Sequence, residues 1–159
     1  MVEDAKFEDG GEAPLRLRAE DADDLAVIAA LVQDAVFPAS EMTWQFSRSR
    51  FAILLNRFRW EDVPKAKARK RPYERVQSVL VINDVLKVQS QGVERGNADM
   101  IMSVLSISFE PDQDGTGRVI LTLAGDGALS LAVECLDVVL KDVTRPYIAP
   151  SKSAPKHPE

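Results

Sequence analysis

A single histidine and a single cysteine bound the chemistry open to this chain. His157 lies between Lys156 and Pro158, and Cys135 lies between Glu134 and Leu136 with no basic neighbour in sequence to lower its pKa. Ser-His-Asp and Cys-His mechanisms both need an imidazole fixed beside the nucleophile, so neither fits. Zinc and non-haem iron sites need several His or Cys ligands, and phosphate cradles need GxxxxGK[ST] or GxGxxG, which are absent. Carboxylates remain, but no spacing makes two of them converge. Asp112, Asp114 and Gly115 begin like a calcium loop, yet Leu123 occupies the twelfth position, where a bidentate Glu belongs. Glu134 and Asp137 read as outward-facing solubilising charges, and Cys135 as a buried structural thiol. The expectation is therefore no catalytic residue, no metal and no cofactor, with a carboxylate-dependent enzyme as an alternative.

A charge imbalance is the remaining signal. Residues 45–75 hold ten of the twenty basic side chains against Glu61, Asp62 and Glu74, a local +7 within a chain of net −5. Trp44, Phe46, Phe51, Phe58, Trp60 and Tyr73, six of the ten aromatics, fall in the same region extended by one residue to Trp44. Cations beside flat rings are the chemistry of single-stranded nucleic-acid binding, where bases stack at about 1–3 kcal/mol each. The candidate anion contacts are Arg57, Arg59, Lys65, Lys67, Arg69, Lys70, Arg71 and Arg75, with Trp60 and Tyr73 as stacking candidates. On a strand, Arg57 and Arg59 leave one face and Phe58 and Trp60 the other, so one face enters the core and one is wet. A charged connector is also simply a solvated loop, and an overall pI near 5 is not the footprint of a nucleic-acid-binding domain.

These residues need a scaffold. Leu25, Ile28, Ala29, Val32 and Val36 form one helical stripe behind Glu20, Asp21, Asp23 and Asp24, so the sequence predicts a helix over about 21–36, stopped by Pro38. Period-two patterns predict strands at 15–18, 42–44, 51–60, 76–82, 85–93, 100–109, 119–124 and 129–133, with residues 62–72 as a polar connector. Ile101, Leu105, Ile107 and Phe109 are expected on one face of their strand. Asn83 and Asp84 mark a turn, and Asp126-Gly127 offers the positive φ of a tight hairpin. Residues 135–143 fit helix or strand, with the balance toward a short helix. The resulting expectation is an α+β fold: one N-terminal helix on a mainly antiparallel sheet of six to eight strands, able to curl into a partial barrel. Residues 1–13 form a mobile acidic arm, 14–145 a single domain, and 146–159 a disordered tail.

The stretches DADDLAVIAALVQDAV, FAILLNRFRWE and GALSLAVECLDVVLKD resemble a domain-of-unknown-function family of small alphaproteobacterial proteins with no assigned activity. The resemblance covers about residues 14–147 and implies a bacterial cytoplasmic setting, while naming no catalytic residue. Taken together, the sequence predicts a soluble, non-enzymatic binding module. Its basic segment 57–75 would contact an anionic partner, nucleic acid or acidic protein, with no membrane contact. An assembly module that homodimerises through a sheet edge or face is the alternative.

Overall fold

The computed structural model describes residues 13–93, 97–148 and 154–155. The expected acidic arm, apart from Ala13, and most of the expected tail lie outside the described residues. The architecture is mainly β, which corrects the α+β expectation. Among the described residues, eleven strands join into one open antiparallel sheet, not a barrel, accompanied by two short α-helices and four one-turn 3-10 segments. The excess over six to eight strands comes from short pieces that periodicity does not resolve: β2 (Val36–Pro38), β10 (Val138–Asp142) and β11 (Tyr147–Ile148).

The strands run β1-β10-β5-β4-β2-β7-β8-β9-β6, with β3 added beside β4 and β11 beside β5. Here β1 is Arg16–Ala19, β3 Met42–Gln45, β4 Arg50–Phe58, β5 Glu74–Ile82 and β6 Val85–Gln91. The other half contains β7 (Ile101–Pro111), β8 (Gly117–Leu123) and β9 (Gly127–Val133). Strands β5 and β6 follow one another in sequence but do not pair; Asn83 and Asp84 turn the chain out of one half of the sheet into the far edge of the other. Between β8 and β9 the residues with positive φ are Gly125 and Asp126, one position earlier than the Asp-Gly pattern suggests.

Helix α1 spans Ala22–Val32 and begins where Asp21 accepts a hydrogen bond from the Asp24 amide, satisfying one orphan donor. Its buried side chains Leu25, Ile28 and Val32 pack into a core with Phe37, Leu55, Leu80 and Val104. The helix is shorter than expected: the chain takes positive φ at Asp34, and Val36 already pairs with Asn56 and Ser103. In β7 a bulge between Val104 and Ser106 changes which side chains point inward. Met102, Val104 and Ile107 are buried, whereas Ile101 and Leu105, expected to share the inward face, are exposed. Residues 138–142 are strand, since Val138 and Leu140 must reach the core from the strand that lies between β1 and β5. The chain's order also continues past the expected boundary at 145, because Tyr147 and Ile148 pair with Arg75 and Glu74. Among the described residues, no helix is long and apolar enough to cross a membrane.

Candidate functional site

The basic segment is distributed over the end of β4, a one-turn 3-10 segment (Trp60–Asp62), helix α2 (Val63–Ala68) and the start of β5. The helix is a short element inside the expected polar connector, with Pro64 in its first turn, where a missing N–H is harmless. Only Ala66 of α2 is buried; Lys65, Lys67, Arg69 and Lys70 are exposed.

Strand β4 alternates from Arg50 to Arg57, and Arg57 shares the inward face with Phe51, Ile53 and Leu55. Its guanidinium is fully buried, so the expectation that Arg57 offers itself to an external anion is corrected by geometry. Nε and Nη2 donate to Asp142 Oδ1 at 3.2 and 3.1 Å, and Nη2 also reaches Oδ2 at 3.1 Å. On the other side Nη1 and Nη2 donate to the two oxygens of Glu61 at 2.9 and 2.8 Å. Ser78 completes the cluster, its hydroxyl donating to Asp142 Oδ1 at 2.6 Å and accepting from Arg57 Nε at 3.1 Å. A buried cation is tolerable only when so paired.

Arg59 and Arg71 are drawn into a second cluster. Arg59 Nη1 donates to Glu74 at 2.5 Å and lies 3.5 Å from Asp62, while Arg71 binds both oxygens of the buried Asp62 at 2.6 Å. Burial acts to raise the pKa of Glu61, but hydrogen bonds and charge from Arg57, aided by Arg59, hold the carboxyl below its ordinary value. The hydrogen bonds from Arg71, with the Arg59 charge, outweigh burial and hold Asp62 below the usual range as well. Arg57 itself is kept charged: burial opposes the charge, and Glu61 and Asp142 more than restore it. Three of the eight candidate arginines and lysines are thus internal counter-ions rather than a docking surface.

The aromatic candidates come together. Phe58, buried at the end of β4, meets Trp60 edge-on with ring centroids 4.6 Å apart and Tyr73 at 5.6 Å, and the Arg75 guanidinium lies 5.9 Å from the Phe58 centroid. Trp60 and Tyr73 are half-buried, and the Trp60 indole donates to the Gln33 carbonyl at 3.0 Å, tying the segment to the end of α1. Rings and the cation Arg75 therefore do meet, because Arg75 is the cross-strand partner of Phe58, while Arg57 and Arg59 stay apart from the rings as alternation requires. The chain leaves β4 at Phe58 and carries Trp60 back across it.

Elsewhere the expected roles shift. Cys135 is exposed, not buried, and its thiol donates to Asp84 at 3.1 Å, so the neighbouring carboxylate raises its pKa. Asp137 is buried and accepts both hydrogen bonds of a bidentate Arg18, at 2.9 and 2.7 Å, instead of facing solvent. Asp114 lies in a turn, Gln113–Gly115, and Asp112 caps it by accepting from the Gln113 amide.

The sequence pattern of the family described as a protein of unknown function, DUF2948, matches residues 15–157. The chain belongs to the DUF2948 family. No curated protein and no solved structure matches it. The DUF2948 match thus takes in both arginine clusters, α2 and every described strand.

Proposed function

We propose that this DUF2948 protein is a binding module that holds an anionic partner on the exposed side of α2 and its C-terminal cap, without chemistry of its own. One observation carries the reading. The carboxylates near the segment, Glu61, Asp62 and Glu74, are spent on Arg57, Arg59 and Arg71. Lys67, Arg69 and Lys70 stand exposed in a stretch, 63–73, that contains no acidic residue. Like charges gathered this way cost stability through mutual repulsion and attract counter-ions of either small or polymeric kind. The half-exposed Trp60 and Tyr73 lie in the segments flanking α2 and supply apolar contact beside the cations.

The test titrates the full chain with labelled single-stranded RNA and, separately, with poly-glutamate, over a salt series. Binding through phosphates weakens steeply as salt rises, and K67E/R69E/K70E flattens that dependence by about two units of slope, near 0.7 per lost contact. Stronger binding of poly-glutamate would assign the partner as an acidic protein. Absence of binding to both polymers at low salt refutes the reading.

A further inference from the structure

We infer that the outer face of the β1-β10-β5-β4 half of the sheet is a second docking surface, shaped for an acidic amphipathic segment of a protein partner. This surface is separate from α2 and stands or falls independently of the reading above.

The pleat sorts charge between the two faces of this half. Its strands contain two carboxylates, Glu74 and Asp142, and alternation places both on the inner face, where arginines consume them. Every charged side chain on the outer face is a cation: Arg16 and Arg18 from β1, Lys141 from β10, Arg75 from β5 and Arg50 from β4. Arg18 is occupied by Asp137, and Arg50 donates to Asn83. Arg16 and Lys141 are different. They are directly opposite one another across β1 and β10, both exposed, with no carboxylate in reach among the described residues. Like charges in that position destabilise a strand pair. A pairing of this kind is relieved by an anion that binds both.

Between the cations lies an apolar strip. The register aligns Val139 with Val81, and Val79 with Leu54, all on the outer face and all half-buried. Neither helix supplies a cover: Leu25, Ile28 and Val32 of α1 enter the core on the opposite side, and α2 buries only Ala66. An aliphatic floor with a cationic rim complements a helix carrying an apolar stripe bordered by Glu or Asp. Single-stranded nucleic acid fits less well, because the floor between the cations is aliphatic and the rings on this face stand at its end, Phe58 buried and Tyr147 bonded to Asn56.

The experiment measures fluorescence anisotropy of a labelled synthetic peptide of Leu and Glu, with Leu at i, i+3, i+4 and i+7, against the full chain at low salt. Binding is expected, with R16E/K141E weakening it at least tenfold, R16K/K141R retaining it, and K67E/R69E/K70E leaving it unchanged. That last variant separates this surface from the α2 site. If R16E/K141E fails to fold by circular dichroism, Lys141→Gln carries the test with an expected loss of at least threefold. No binding, undiminished binding by the charge-reversed chain, or equal binding of a peptide with Lys in place of Glu overturns the inference. Tighter, Arg16- and Lys141-dependent binding of single-stranded RNA or of phosphatidylserine vesicles overturns it too.

Discussion

Replacing Arg57 by Met removes a guanidinium that is fully buried and makes charge-assisted contacts to Asp142, Glu61 and Ser78. The methionine keeps most of the aliphatic packing, so the effect reports the lost charge. Glu61 lies at the solvent margin and regains water, but Asp142, only 8% exposed, keeps just the Ser78 hydroxyl and the Leu15 amide as donors. Stranding a buried charge costs about 3–5 kcal/mol. Because Asp142 keeps two donors, the expected loss lies at the lower end, about 3 kcal/mol. For a chain of 159 residues that lowers Tm by about 6–12 °C, at about 2–4 °C per kcal/mol. Urea unfolding followed by circular dichroism gives the free energy, and calorimetry the Tm. The double variant R57M/D142N removes the stranded charge. The amide's one oxygen accepts from the Leu15 amide, while its NH2 donates to the Ser78 hydroxyl, freed of Arg57 and able to accept. At least about 1 kcal/mol of the loss is therefore recovered, within the range of coupling between contacting residues. A loss below about 1 kcal/mol for R57M, or strict additivity in the double variant, refutes the assignment of Arg57 as the centre of a stabilising cluster.

Two further outcomes follow from the same geometry. Glu61 and Asp62 have depressed folded-state pKa values, so their contribution is complete above the unfolded values of about 4, and is lost as pH falls through the folded ones. Tm measured from pH 7 to pH 2 should therefore fall steeply below about pH 4–5, and E61Q should show a shallower fall; an identical acid profile in E61Q contradicts the linkage. Gly117 lies where an added Cβ would sit 2.4 Å from the Glu110 carbonyl oxygen and 2.7 Å from the Phe109 ring, so G117A should destabilise by about 1–3 kcal/mol in urea unfolding. G127A, whose nearest contact is an ordinary 3.4 Å, should be tolerated, and equal midpoints for the two variants would contradict the packing argument.

The legible parts of the sequence were those where local pattern and tertiary environment agree. The α1 stripe of Leu25, Ile28 and Val32, with its acidic start, announces a buried helix face, and the long strands β4, β5 and β9 alternate cleanly. The two- and three-residue strands β11 and β2 carry too few alternations to register, and the five residues of β10 compete with a helical spacing of Leu136, Leu140 and Val143 until its place between β1 and β5 is known. A bulge of one residue was enough to exchange Leu105 for Val104 at the core. The charge island was visible, but its internal neutralisation was not. Asp142 meets Arg57 from 85 positions away, and no local count contains that contact. The Arg16–Lys141 pairing, 125 positions apart, is hidden for the same reason, although the Leu15-Arg16-Leu17-Arg18 alternation already turned its cations to one side.

Charge sorting across the β1-β10-β5-β4 half also bears on how the chain finds its alignment during folding. Were β5 to slide by a single residue against β4, Glu74 would turn to the outside and Arg75 would be driven inward opposite another arginine, Arg57 or Arg59, whose acids are already taken. The hydrophobic alternation alone penalises such a slip, and the segregated ions penalise it again. The misaligned sheet is rejected twice, so the polar pattern serves as a proofreading device written into the strands themselves.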